Sequence, residues 1–214
     1  MLDGGAMALT VRGLSEQEML EQQNLYPGAR AALERIRPLH CKGAIKEYQA
    51  GWLYVLTRPF NHTGARILEI GTLCGYSAAA MAEAAPLART LSSNPNKPEV
   101  DTASRRLAGY TNVKVLAAYS WDYLALSPSD TWDMIFVDGD HKQVQRDLPW
   151  FNRLKIGGLM LFHDYSPREA GNPCIPVYEA LEAVRREKRA PDVELVDNNR
   201  VGMAGWYRRE GEIW

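Results

Sequence analysis

Three short runs carry residue types that could do chemistry. The first is Glu69-Ile-Gly-Thr-Leu-Cys-Gly-Tyr-Ser77, where a carboxylate precedes a turn bracketed by Gly71 and Gly75. Glycines let a ligand come close to the backbone. A helix starting behind them offers free N–H groups to a carboxylate or phosphate. The second run is Val137-Asp138-Gly-Asp140-His141, and the third is His163-Asp164-Tyr165. Carboxylates brought together from two such runs either share a proton or bind a hard divalent cation.

These residues need a sheet to position them. Ile67 to Ile70 is a short apolar run with the length of a buried parallel strand. Ala78 to Ala85 is rich in strong helix formers. Strand, glycine turn and helix form the first unit of a Rossmann-like sheet, which binds ligands at the carboxyl ends of its strands. The period then repeats, with strands at Arg89–Ser93, Val113–Ala117, Trp132–Val137 and Leu159–Phe162. Helices fall at Glu99–Ala108, Tyr119–Leu126, His141–Leu154 (broken at Pro149) and Val177–Arg189. Val193–Val196 and Val201–Tyr207, joined by Asp197-Asn-Asn-Arg200, read as an antiparallel hairpin. The expectation is an α/β fold with a seven-stranded, mostly parallel sheet and helices on both faces. Asp138 and Asp164 then close neighbouring strands.

Upstream, Ser15-Glu-Gln-Glu18 is a capping box that opens a helix over about 16 to 25. Further helices span Ala29–Arg37 and Lys46–Phe60, the last with Tyr48, Trp52, Val55 and Leu56 on one side. Residues 1–62 are read as a helical cap over the ligand edge, and 63–214 as one compact ligand-binding unit.

The glycine spacing separates two ligand classes. A dinucleotide site wants G-x-G-x-x-G, whereas this turn reads E-x-G-x-x-x-G. That string resembles the first motif of class I S-adenosylmethionine-dependent methyltransferases. Leu68-Glu-Ile-Gly-x-x-Cys-Gly-Tyr-Ser-Ala78 is similar to the catechol O-methyltransferase branch, and the resemblance covers roughly residues 65 to 185. It implies S-adenosylmethionine as cofactor. Glu69 would approach the methionyl amino group, and the turn with Gly71, Thr72, Gly75, Tyr76 and Ser77 would hold the methionyl carboxylate. Ser120 and Trp121 would lie at the adenine, and Asp138 beside both cofactor and metal.

The chain departs from that family at the end of the second strand. Relatives place an acidic residue there for the ribose hydroxyls; here Ser92 stands at that position, followed by the usual Asn94-Pro95. A serine bonds one hydroxyl but is no bidentate charged acceptor. Either Ser92, Ser93 and Asn94 share the ribose, or the protein is a repurposed, non-catalytic S-adenosylmethionine fold.

Metal-dependent relatives of the catechol and caffeoyl-CoA type carry Asp, then Asp-Asn, after the corresponding strands. This chain has Asp138, then Asp164-Tyr165, so the asparagine is missing. The macrolide-sugar O-methyltransferases hold a metal-binding aspartate where His163 stands. The resemblance therefore implies Asp138, His163 and Asp164 as ligands of a divalent metal. Magnesium is the first choice, and the nitrogen ligand widens it to manganese, iron or zinc. Without a metal, Asp138 is a turn residue and His163 a core residue. His141 occupies the place of a lysine that deprotonates the acceptor in catechol O-methyltransferases. Histidine, with an unperturbed pKa of about 6.5, suits that general-base role; alternatively it only starts a helix. The implied reaction is O-methylation of a small hydroxylated acceptor.

Composition bounds the partners. A net charge of −1 without a basic block argues against nucleic acid. No run is long and apolar enough to span a bilayer, and Met1 to Met7 lacks the pattern of a signal peptide. Cys41, Cys74 and Cys174 are odd in number and form no C-x-x-C pair. Free thiols and a cytoplasmic location are therefore expected. The assembly is left open to a homodimer. Cys174 lacks an orienting third group that would make it a nucleophile, and Tyr165 to Pro176 reads as a loop shaping the acceptor pocket.

Overall fold

The computed structural model describes residues 8–23, 26–126, 131–166, 174–198 and 202–214. Met1 to Met7, most of the loop after Tyr165 and part of the expected turn at 197–200 lie outside those residues.

The central strands form where their apolar runs predict. They are β2 (Arg66–Ile70), β3 (Arg89–Ser93), β4 (Val113–Leu116), β5 (Trp132–Val137) and β6 (Leu154–Tyr165). All six residues of β5 are buried, as expected of a parallel strand covered on both faces. The chain ends in β7 (Val193–Asp197) and β8 (Gly202–Tyr207), paired antiparallel to each other. A further strand, β1 (Leu9–Leu14), precedes them all and pairs parallel with β7. Among the described residues the sheet therefore has eight strands, in the order β1-β7-β8-β6-β5-β2-β3-β4, and not the seven expected. The addition escaped because Leu9-Thr-Val-Arg-Gly-Leu14 is short, contains a glycine and buries only Val11.

Helices α1 (Glu16–Gln23), α2 (Ala29–Ile36) and α3 (Glu47–Thr57) follow β1. The α1 capping box is formed: Glu18 accepts from the Ser15 backbone N–H at 2.8 Å, and its own N–H donates to Ser15 Oγ at 3.2 Å. Around the sheet lie α4 (Tyr76–Ala84), α5 (Lys97–Arg106), α6 (Ser120–Leu126), α7 (Val144–Asp147) and α8 (Ile175–Glu187). The helix expected over His141–Leu154 is in fact three pieces. Single 3₁₀ segments at His141–Gln143 and Leu148–Arg153 flank α7, and Pro149 sits in the first turn of the second.

Strand alternation sorts the interior into two cores. Ile67, Phe136 and Leu161 pack beneath α3 and α4 with Trp52, Leu56 and Met81. Leu68, Ile135 and Phe162 face the other way, onto Trp150, Leu181 and Trp214. Each large side chain buried this fully stabilises the fold by about 1.5–3 kcal/mol. By the same alternation, Glu69, Asp138 and His163 fall on the α3–α4 side.

Among the contacts that tie the N-terminal elements to the rest, two bear on the site. Tyr48 OH donates to the buried Asp197 at 2.7 Å, with Lys46 Nζ 3.2 Å from the same carboxylate. Cys41, ahead of α3, forms a disulfide with Cys74 in the glycine turn. The expectation of free thiols is thus corrected for these two. They lie 33 residues apart, and their proximity arises only when the segment before α3 folds over the turn after β2. Cys174 remains free.

Candidate active site

Glu69 anchors the site. It is fully buried, and both carboxylate oxygens are occupied: Ser77 Oγ donates to one and Ser92 Oγ to the other. Register explains the second contact, since Glu69 lies directly opposite Ser92 across the β2–β3 ladder. Thr72 Oγ1 closes the group onto Ser92. Burial drives the Glu69 pKa up to about 8, against the two serine hydrogen bonds that lower it; the nearby charge of Asp138 adds to the rise. Ser92 is therefore part of the support of Glu69, not an open hydroxyl at the end of a strand.

The turn above Glu69 takes positive φ at three positions, Gly71, Leu73 (φ 44°) and Gly75, two of them glycine. Gly71 has φ 100°, and a Cβ there would strike the carbonyl of Asp138; Gly75 has φ 85° and caps α4 without a side-chain partner. The first N–H groups of α4, at Tyr76 and Ser77, are thereby left toward the turn.

Two cavities meet at Gly71. One, of about 330 Å³, is lined by Gly71 to Cys74, Tyr76, Ser77, Asp138, His141, His163 and Asp164, with Gly43 to Lys46 and Gln49 opposite. The other, of about 180 Å³, is lined by Ser93, Pro95, Tyr119, Ser120, Trp121 and Asp147 among others. In the second, Tyr119 stacks on Trp121 at 4.6 Å between ring centres, and the Arg146 guanidinium lies 4.9 Å from the Trp121 ring. Ser120 Oγ donates to Asp147, whose pKa burial raises to about 6. Asn94 faces inward on its own loop. Its amide donates to Glu99 at 2.8 Å and its carbonyl accepts from the Asn96 backbone at 2.7 Å.

The reactive edge brings the second and third runs together, as their places on adjacent strands require. Val137 pairs with Phe162, so Asp138 and His163 follow side by side. His163 Nδ1 lies 3.0 Å from Asp138 Oδ1 and 3.1 Å from Asp164 Oδ2. His141 Nε2 lies 2.8 Å from Asp164 Oδ2. Asp164 reaches both rings from a backbone with φ 56°, a conformation that costs about 1–3 kcal/mol outside glycine. Burial alone would lower the His163 pKa, but the charge of Asp138 and contacts with both carboxylates outweigh it and raise it to about 10. The contact with Asp164 raises His141 as well. Burial would raise Asp164, yet the two imidazoles hold it well below the ordinary carboxylate range.

Donor atoms of Asp138, His141 and Asp164 all lie within 4.8 Å of one another. Two carboxylates and an imidazole so arranged fit a divalent cation. The histidine in that convergent group is His141, whereas the sequence pointed to His163.

Sequence reasoning missed one wall of the larger cavity. Gln49 accepts from His163 Nε2 at 3.1 Å and from the Lys46 backbone at 2.8 Å. Its signal was a polar residue, 1% exposed, inside the otherwise apolar α3. Asp147, the partner of Ser120, was missed because only the fold brings it there.

Comparison with known proteins returns methyltransferases. Residues 68–165 match a family described as a methyltransferase domain. The chain is 37% identical over 101 residues to protein-L-isoaspartate O-methyltransferase 1 of Archaeoglobus fulgidus, across 46% of this chain and 45% of that protein. It is 28% identical to the catechol O-methyltransferase of Mycobacterium tuberculosis, across 66% of this chain and 68% of that protein. The chain thus spans less than half the length of the first relative. Among solved structures, the O-methyltransferase TomG of Streptomyces achromogenes, in complex with S-adenosylmethionine, superposes with a TM-score of 0.66. The match has 22% identity and covers 82% of this chain and 89% of that one. These comparisons return the group that the glycine turn resembles. Among the described residues no helix is long and apolar enough to cross a membrane.

Proposed function

We propose that this chain is a class I S-adenosylmethionine-dependent methyltransferase and that it methylates an oxygen of a small hydroxylated acceptor. One observation carries the proposal. A single cavity is lined both by the glycine turn, whose Ser77 donates to the buried Glu69, and by the His141–Asp164 pair at 2.8 Å.

The residues divide the work. Glu69 as carboxylate suits the methionyl ammonium, and the α4 N-terminus suits the methionyl carboxylate. The cavity lined by Tyr119, Ser120 and Trp121 offers an aromatic stack and hydroxyl for adenine. Gln49 and Lys46 would face the acceptor from the segment that opens α3. Asp164 orients His141 through Nε2, which leaves Nδ1 to take the proton of the acceptor hydroxyl. The oxygen then attacks the methyl carbon in line with the sulfonium. The O–C bond forms as the C–S bond breaks, and the thioether product leaves. Alignment supplies most of the rate enhancement.

His163 favours a reading without metal. Its cationic ring between Asp138 and Asp164 already offsets the repulsion of two carboxylates. The convergence of Asp138, His141 and Asp164 favours a second reading in which these three hold a divalent ion. Such an ion would polarise acceptor oxygens and lower the pKa of one. Under that reading His141 is a ligand and the proton leaves by another route.

Isothermal titration with S-adenosylhomocysteine tests the cofactor assignment, and a labelled-methyl assay over catechols and other hydroxylated aromatics tests the reaction. No heat with millimolar S-adenosylhomocysteine would reject methyl transfer and leave the repurposed fold.

A further inference from the structure

Cys74 sits inside the turn between Gly71 and Gly75, and Cys41 sits in the segment that leads to α3. That segment supplies Gly43, Ala44, Ile45 and Lys46 to one wall of the larger cavity, while the turn supplies the facing wall. We infer that the Cys41–Cys74 disulfide is a reversible latch that holds the cap segment over the cofactor turn, so that thiol reduction opens the cavity.

The other contacts of this segment with the turn and the helices beside it are weak. His40 meets the Tyr76 ring edge-on at 5.0 Å, Gly43 approaches Leu73, and Arg106 donates to the Pro38 carbonyl at 3.1 Å. None of these three is an ion pair, and the ion pair at the end of the segment, Lys46 with the buried Asp197, runs to β7 instead, so the disulfide is the covalent tie between the segment and the turn. Cys74 is 4% exposed and Cys41 is half-buried, so a reductant reaches the pair from the Cys41 side. The chemistry is thiol–disulfide exchange with a dithiol. The dithiol supplies two electrons, the Sγ–Sγ bond breaks, each cysteine sulfur gains a proton, and the dithiol closes to its own disulfide.

The effect on binding follows from population. If the reduced segment lies closed about a tenth of the time, apparent affinity falls about tenfold. This consequence rests on the cavity being the cofactor site, as proposed above.

Alkylation with iodoacetamide in guanidinium chloride reads the bond itself. Unreduced protein is expected to take one label, at Cys174, and dithiothreitol-treated protein three. Titration with S-adenosylhomocysteine is expected to show about tenfold weaker binding after reduction, with faster hydrogen exchange over residues 39–46. Cys41→Ser should match the reduced protein and ignore dithiothreitol. Three labels without reductant would overturn the latch, as would equal affinity and exchange in both forms. If S-adenosylhomocysteine binds neither form, the methyltransferase reading fails, while labelling and exchange still decide the latch.

Discussion

Ser92 and Glu69 sit opposite each other on adjacent parallel strands, and the serine hydroxyl donates to the buried carboxyl of the glutamate. Where relatives place an acid for the ribose, this chain places a support for its other acid. Two carboxyls opposite each other in that buried ladder would repel. Ser92→Glu should therefore lower the melting temperature, and Ser92→Ala should cost about 1–3 kcal/mol by stripping one partner from Glu69. Urea unfolding measures both. Unchanged stability with tighter S-adenosylhomocysteine binding in Ser92→Glu would mean that position 92 faces the ribose after all.

Glu69 should couple cofactor binding to protons. Burial raises its folded pKa to about 8, from an ordinary 4.5. Between those pH values the folded chain keeps a proton that the unfolded chain has lost. The contribution of Glu69 to stability is therefore present at acid pH and declines as pH rises through that window. A ligand ammonium favours the carboxylate, so binding at pH 7 should release a proton, and affinity should climb as pH approaches 8. Titrations in phosphate and in Tris, which differ in ionisation heat, will show the release. Glu69→Gln should abolish it.

His141→Ala should lower kcat by about 10²–10⁴ and leave S-adenosylhomocysteine affinity nearly unchanged, since Asp164 and not the cofactor holds that ring. Turnover of wild-type protein should survive excess EDTA if His163 is the cation between the carboxylates. Loss of turnover that magnesium or manganese restores would instead assign Asp138, His141 and Asp164 to a metal.

Gly71→Ala should unfold the turn. At φ 100° a side chain costs about 1–3 kcal/mol, and the Asp138 carbonyl occupies the space a Cβ needs. Circular dichroism on heating should show the loss of stability, and calorimetry the loss of S-adenosylhomocysteine binding.

Much of the architecture was legible because it rests on local signals. The apolar runs of β2 and β5 and the glycine turn between Glu69 and Ser77 each announce themselves within a few residues. The meeting of Asp138 with Asp164 was legible too, because adjacent parallel strands deliver their ends to one edge. What stayed hidden depends on long-range placement. Ser92 turned inward because the β2–β3 register sets it beside Glu69. Gln49 and the Cys41–Cys74 bond belong to a segment whose docking no local pattern encodes. The nearness of His141 to Asp138 and Asp164 has the same origin, since the fold and no local pattern sets it beside them.

The strand Leu9–Leu14 has a consequence beyond adding to the sheet. All five residues of β7 are buried, Glu194 among them, and Arg12 of β1 meets that glutamate at 2.6 Å. Without β1, β7 would present a bare row of amide and carbonyl groups flanked by apolar side chains. Such a row is a template on which a neighbouring molecule can add its own strand. The first described strand therefore covers that row and becomes the border of the sheet itself, while its arginine answers the buried charge of Glu194.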